Sequence, residues 1–250
     1  MSNKNPIGRA SGGFPSTRRS AVAAARSEDP VERQRAFERI TAAYWKPVYK
    51  YIRVRWSKSN EDAEDLAQEF FARLIEKDFL ASYDPARARL RTFLRACIDA
   101  LVANEKRASL RLKRGGRACL LPLDFALAEG ELARSAQQSP QDPEAFFERE
   151  WARSLFGLAL EELQRDCQAR GRETHFRLFE SYDLEDSGER RPSYQDLARE
   201  HGIEVTDVTN YLALARREFR RITLNLLREM TAGDEEFRRE ARSLLGVDTQ

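Results

Sequence analysis

Three runs of residues could do chemistry, and in each the chemistry is that of charge and shape. Glu61, Asp62, Glu64, Asp65 and Glu69 place five carboxylates within nine residues, with no Lys or Arg before Arg73. Such a surface steers toward a basic partner. It could also bind a cation, but no His or ordered loop completes a site, or it could be a solvated face whose acids favour the positive end of a helix dipole. From Arg87 to Arg117 ten Lys/Arg stand against Asp99 and Glu105 alone. Without an anionic partner these cations would repel one another, so the run points to phosphates. The stretch from Ser193 to Arg221 has the spacing of a helix-turn-helix with a basic helical tail. Leu197 and Ala198 lie on the first helix and Gly202 in the turn, where glycine can take the positive φ that ends a helix. Val208 and Leu212 fill the wedge between the helices, leaving the opposite face of the second free for a DNA major groove.

Enzymatic signatures are missing. There is no G-x-x-x-x-G-K-[ST] loop, G-x-S-x-G elbow or H-E-x-x-H, so no catalytic residue is expected and the chain reads as a non-enzyme. Cys97, Cys119 and Cys167 are far apart and odd in number, and the only histidines are His175 and His201. A structural zinc or disulfide framework is not expected, no metal or cofactor is implied, and the compartment reads as reducing cytosol. No apolar run approaches the ~20 residues of a membrane span. The first twenty residues lack the apolar core of a signal peptide and read as a disordered leader.

The elements that position these runs are helical throughout, with no sustained alternation and no hairpin signal. A short Ala-rich helix is expected at about 17–27. Asp29-Pro30 opens a helix through Tyr44, since Pro is favoured at a first helical position, and Pro47 marks a break or fresh start. Asn60 is the N-cap candidate for the acidic helix 60–77. Leu90, Phe93, Leu94, Cys97, Ile98, Leu101 and Val102 form one apolar face of a basic helix at 89–114. From 117 to 143 the chain reads as a linker carrying Pro122, Ser139-Pro140 and Asp142-Pro143. Phe147, Trp151, Leu155 and Leu158 begin a second helical unit. Ser193 and Asp196 form a capping box at the start of the helix-turn-helix, and Gly233 precedes a last helix, 234–245. From Leu120 to Glu150 seven Asp/Glu stand against Arg134 and Arg149, so a basic block is followed by an acidic one.

In this order the three runs resemble the extracytoplasmic-function (ECF) group of bacterial RNA polymerase sigma factors. The carrying strings are DAEDLAQEFFARLIE from Asp62, LRTFLRACIDALVANEKRA from Leu90 and YQDLAREHGIEVTDVTNYLALARREFR from Tyr194. The resemblance implies that the acidic helix docks on a coiled-coil clamp of the polymerase core through Asp62, Glu64, Asp65, Gln68 and Glu69. It implies that the basic helix meets the promoter −10 element, with Arg91, Arg95, Asn104, Lys106, Arg107 and Arg111 as candidates. It implies that the helix-turn-helix reads the −35 element, with Thr206, Thr209, Asn210 and Ala213 toward the bases and Arg216, Arg217 and Arg220 toward phosphates. The chain departs from the family pattern at Phe93, where Trp is usual, and at Ala100, where Asn is usual. It departs again at Thr209 and Tyr211, where many members carry Lys or Arg. Fewer cations on the recognition helix imply weaker DNA binding alone and more dependence on the polymerase.

The expected architecture is therefore all-α, with two small helical domains joined by a linker and the second ending in a helix-turn-helix. Its parts are an extension at 1–29, a region-two-like domain at 30–115, a linker at 116–143, a region-four-like domain at 144–230 and a C-terminal helix at 231–250. The expected function is core-polymerase binding, promoter selection and DNA opening in the bacterial cytoplasm. An anti-sigma or other regulatory protein is an open further partner. The alternative is a sigma-like adaptor that binds proteins rather than promoters, motivated by Ala100 and the polar recognition helix.

Overall fold

The computed structural model describes residues 20–76, 79–108, 123–134, 142–184 and 191–246. These form ten α-helices and, among the described residues, no strand. The helices are Ala21–Ala24 (α1), Pro30–Arg55 (α2), Asn60–Glu76 (α3), Leu90–Ala108 (α4), Phe125–Arg134 (α5), Pro143–Ala169 (α6), Glu173–Phe179 (α7), Tyr194–His201 (α8), Val205–Glu229 (α9) and Asp234–Leu245 (α10). A 3₁₀ turn at Phe79–Ser82 precedes α4, and a π turn at Glu180–Leu184 follows α7.

Helix α2 is the spine. Asp29 caps it by accepting the Val31 N–H at 2.9 Å, and Pro30 occupies the first turn. Pro47 does not break it: one helix runs from Pro30 to Arg55 with Pro47 inside and buried. An interior proline costs about 3 kcal/mol. Ile40, Tyr44, Val48, Tyr49 and Ile52 flank it at 1 % exposure or less, and each such burial contributes about 1.5–3 kcal/mol, so packing outweighs the local penalty. Among the described residues the Ala-rich segment, expected at about 17–27, forms the single turn α1. It is held to the 3₁₀ turn by Arg26, whose Nε and Nη2 donate to the Leu80 carbonyl at 3.0 and 2.6 Å.

The apolar side chains divide into two clusters. The larger joins α1 to α5, the N-terminal half of α6 through Leu155, and Leu227, Met230, Phe237 and Ala241 from the end of α9 and from α10. The smaller joins Ala159, Leu163 and Cys167 of α6 to α7, α8 and most of α9. The two cores thus meet inside α6 and again near the end of α9. Within 116–143, read as a linker, residues 125–134 form α5. Both α5 and the C-terminal α10 pack on the α2–α4 core, Phe125 meeting Tyr49 with ring centroids 5.1 Å apart.

Charge as well as apolar area holds α5 in place. Lys46 and Lys50 donate to Glu131 at 2.8 and 2.6 Å, Arg53 pairs with Glu129, and the Tyr49 hydroxyl donates to Glu129 at 2.7 Å. The Arg53 hydrogen bond holds the Glu129 carboxyl below the usual range. Burial pushes Glu131 up, but Lys46 and Lys50 together outweigh it and leave it lowered as well. Both folded values lie below the ordinary 4.5, so the stabilisation is complete above that pH and is lost as pH falls through the folded values. The urea midpoint should therefore drop between about pH 6 and about pH 3.5, and a Glu129→Gln, Glu131→Gln variant should show a visibly smaller drop.

Candidate polymerase and nucleic-acid interfaces

The acidic helix α3 is built by opposite faces. Leu66, Ala67, Phe70, Phe71 and Leu74 are buried on one side. Its first turn is capped by Ser59, which accepts the Asp62 N–H at 3.1 Å on Oγ and the Ala63 N–H at 3.0 Å on its carbonyl. Asn60, the cap expected from the sequence, is instead the first helical residue, and its side chain turns to the Tyr49 hydroxyl. Glu61, Asp62 and Asp65 are exposed, and Glu64, Gln68 and Glu69 are half-buried. Arg73, one turn on, pairs with Glu69. Among the described residues Glu61, Asp62, Glu64 and Asp65 form no ion pair, so α3 presents a patch of uncompensated negative charge to solvent.

Helix α4 buries Leu90, Leu94, Ile98, Leu101 and Val102, and its cations are less free than their number suggests. Arg91 is 6 % exposed. Its guanidinium pairs with Glu240 of α10 and with Glu148 of α6 at 3.2 Å, and it lies 4.7 Å from the Trp151 ring centroid. Burial opposes its charge, yet Glu240 and Glu148 more than offset that and its pKa is raised. Arg95 pairs with Glu144 at 3.0 Å. Asp99 accepts from Trp56 Nε1 at 3.0 Å and from the Tyr51 hydroxyl at 3.1 Å, and Tyr51 is pushed up to about 12 by burial and then by Asp99. Phe93, at the family's Trp position, packs on Tyr83 with centroids 5.4 Å apart.

Ala100 and Asn104 are exposed and border a cavity of about 70 Å³ between α3 and α4, floored by Phe70, Leu74 and Leu101. Cys97 also lines it, and burial raises its thiol to about 11, so it is a poor nucleophile at neutral pH. The backbones of Lys106 and Arg107 lie in α4 but their side chains are outside the described residues, and Arg111 is wholly outside them.

In the third run, Ser193 caps α8 through a reciprocal box with Asp196, the two backbone N–H groups each donating at 3.2 Å to the other's side chain. Gly202 takes φ 63°, ψ 37°, and the Ile203 N–H returns to the Ala198 carbonyl at 3.0 Å. Leu197, Val208 and Leu212 are fully buried between α8 and α9. Thr206, Thr209, Asn210 and Ala213 are exposed on the other face of α9.

The arginines behind them differ in their freedom. Arg216 donates to Asp183 at 2.7 and 3.0 Å, and this carboxylate holds its pKa up. Asp183 also accepts from Arg191 at 2.9 Å. Arg217 is exposed, lying 4.0 Å from Glu218, and Arg220 is exposed. His175 stacks on Tyr211 at 3.9 Å, and burial, then Arg172, lowers its pKa.

The participants that the sequence reading left out are Lys50, Arg89, Glu148 and Glu240. Glu236 and Glu240 sit one turn apart beside Phe237 and Ala241, and that pairing of carboxylates with an apolar stripe was the available signal. Among the described residues no helix is long and apolar enough to cross a membrane, and no group of three His, Cys, Asp or Glu could hold a metal ion.

An acidic and a basic amphipathic helix are packed on one core. Residues 42–111 match the family described as Sigma-70 region 2, a segment spanning the second half of α2, all of α3 and all of α4. The match supports a sigma factor of the sigma-70 family, and region 2 of that family binds core RNA polymerase and promoter DNA and takes part in promoter melting. Comparisons with curated proteins and with solved structures gave no match.

The turn between α8 and α9 depends on one backbone conformation. A Cβ on Gly202 would meet nothing within 4 Å, so replacing it incurs only the left-handed backbone penalty of roughly 1–2 kcal/mol. Gly202→Ala should lower stability by about that amount in urea unfolding, and Gly202→Asn by less, because Asn tolerates this region.

Proposed function

We propose that the chain is an ECF-type sigma factor that binds core RNA polymerase, selects promoters through two DNA-contacting surfaces and helps open the duplex, without a covalent step of its own. One observation carries the reading. The segment that matches region 2 contains a helix whose exposed face bears Glu61, Asp62, Glu64 and Asp65 with no compensating cation. Uncompensated acids on a rigid helix suit a basic docking surface. In this reading Asp62, Glu64, Asp65, Gln68 and Glu69 meet the polymerase. Arg91, Arg95, Asn104 and the cations that follow serve the −10 element, and Asn104 beside its cavity is placed to meet an unstacked base. The α8–α9 pair serves the −35 element as a helix-turn-helix. Thr206, Thr209, Asn210 and Ala213 face outward for base edges, with the exposed Arg217 and Arg220 for phosphates. Its place of action is the cytoplasm, where the polymerase is.

The second reading, a sigma-like adaptor that binds proteins, is favoured by one observation. Arg91, Arg95 and Arg216 are already engaged by carboxylates.

Run-off transcription with purified core enzyme on genomic fragments separates the two. The sigma reading expects discrete promoter-dependent transcripts, whereas core binding with no transcript from any fragment makes the chain an adaptor. For the docking face, Asp65→Lys combined with Glu69→Lys should weaken core binding at least tenfold, about 1.4 kcal/mol, with little change in helicity. Unchanged affinity would remove α3 from the polymerase contact.

A further inference from the structure

The turn that aims the acidic helix is held in part from outside the matched segment. Between the end of α2 at Arg55 and the start of α3 at Asn60, Ser57 takes φ 49°. Residues other than glycine seldom adopt this left-handed backbone, and it persists where the surroundings fix it. Two residues of α2 reach forward to the turn. Arg53 donates from Nη1 to the Lys58 carbonyl, and the Tyr49 hydroxyl meets the Asn60 side chain. Both are engaged by one carboxylate of α5. Glu129 accepts Arg53 Nε at 3.0 Å, pairs with its Nη2, and accepts the Tyr49 hydroxyl at 2.7 Å. From α4, Glu105 accepts Lys58 Nζ at 2.7 Å and Asp99 accepts Trp56 Nε1 at 3.0 Å. One set of ties on the turn therefore lies within 42–111, and the other depends on residue 129.

We propose that α5 is a latch for the acidic helix, with Glu129 as a positioning residue that fixes the α2–α3 turn through Arg53 and Tyr49 and so sets how α3 presents its acids to the polymerase. The proposal rests on the sigma reading above for the identity of the partner. Two further observations support it.

The first concerns what α5 is for. A helix of ten residues is too short to be stable alone, so α5 exists by docking on α2. Its Phe125 ring lies 5.9 Å from Trp45 and 5.1 Å from Tyr49, and Glu131 takes Lys46 and Lys50. Docked in this way, it offers Glu129 to both forks of a guanidinium whose remaining nitrogen holds the turn. Two parallel bonds fix the plane of a guanidinium as one cannot. Without Glu129, Arg53 and Tyr49 would both lose the partner that orients them. The second observation is position. Glu61, Asp62, Glu64 and Asp65 occupy the first turns of α3, directly after Asn60. A displacement at the turn is carried straight to these carboxylates. A charge array already held in place loses less freedom on binding than one that has to be ordered.

Hydrogen exchange on the free full-length chain reads the latch, and titration with purified core RNA polymerase reads docking. The Asp62 and Ala63 amides both donate to Ser59 and report on the turn. Glu129→Gln should quicken their exchange at least about fivefold and weaken core binding about fivefold, as expected for loss of hydrogen bonds to a charged group. Tyr49→Phe is the second variant. It keeps the core volume, removes only the link from Glu129 to Asn60, and should show both effects at about threefold. Glu131→Gln is the control on the same helix: it gives up two lysine pairs but touches neither Arg53 nor Tyr49, and both readouts should stay within about twofold. A double-mutant cycle separates positioning from general loosening of the fold. Added to Asp65→Lys with Glu69→Lys, Glu129→Gln should cost little more, because both act on one contact. Full additivity overturns the positioning role. Unchanged exchange at both amides, in variants whose circular dichroism and thermal midpoint show a folded protein, overturns the latch. Quickened exchange with unchanged core affinity overturns the docking role of Glu129 and leaves the sigma reading in place. Quickened exchange in a chain whose wild type binds no core removes the sigma reading and the docking role with it, and keeps only the coupling of α5 to the turn.

Discussion

Arg91 cannot lose its charge, and it lies under α6 and α10 at 6 % exposure. Everything packed around α4 answers to that constraint. A guanidinium taken out of water needs carboxylates placed to fit its fork, or the several kcal/mol of lost hydration go uncompensated. Glu240 and Glu148 supply them, from residues remote in sequence, and the Trp151 face covers the plane. Glu240 can do so only if α10 lies where Phe237 and Ala241 also enter the larger core. The C-terminal helix is therefore positioned by two kinds of interaction that agree. Apolar burial supplies most of the favourable energy, while the polar contacts select the register, because a shift of α10 by one residue would take Glu240 from Arg91 and Glu236 from Tyr83 and leave two buried carboxylates without those partners.

The same logic explains why α6 is long and belongs to two cores. Its first half carries Glu144, Glu148 and Glu150 toward α2 and α4, with Lys50 donating to Glu150 at 2.7 Å in a buried pair. Its second half supplies Ala159, Leu163 and Cys167 to the α7–α9 cluster. Motion of one core relative to the other has to pass through this helix and through α9, whose Leu227 enters the larger core, or break the charged contacts of α6 at one end. Since Glu144 and Glu148 remain half exposed, water and salt can compete for those contacts in a way they cannot for Lys50–Glu150. The weak end of the clamp is thus on α4, and the strong end is on α2.

What the sequence disclosed follows from the range of each interaction. The capping box at Ser193, the left-handed turn at Gly202 and the apolar face of α4 are local patterns, set within a few residues, and the structure contains each of them. Pro47 was misread as a break because its cost is local whereas the compensating burial of Tyr44, Val48 and Ile52 comes from distant helices. Ser59 displaced Asn60 as the cap because Tyr49, eleven residues earlier, engages the Asn60 side chain. Helix α5 was hidden inside a span marked by prolines, since FALAEGELAR is too short to show a stripe and acquires its partners only from α2. For the candidate sites, types and spacing were enough to place the acids on one face of α3 and Thr206, Thr209, Asn210 and Ala213 on one face of α9. They could not show that Arg91, Arg95 and Arg216 are spoken for, because Glu240, Glu144 and Asp183 lie from 33 to 149 residues away.

A charge inventory by segment therefore overstates what α4 offers to a polyanion and understates what α3 offers to a basic surface. Arg89, Arg91 and Arg95 are neutralised by Glu144, Glu148 and Glu240, while among the described residues the acids of α3 stay uncovered except where Arg73 meets Glu69. In the sigma reading proposed above, α9 carries threonine and tyrosine at Thr209 and Tyr211 rather than cations, and such a reader of DNA works best once something larger has set it in place.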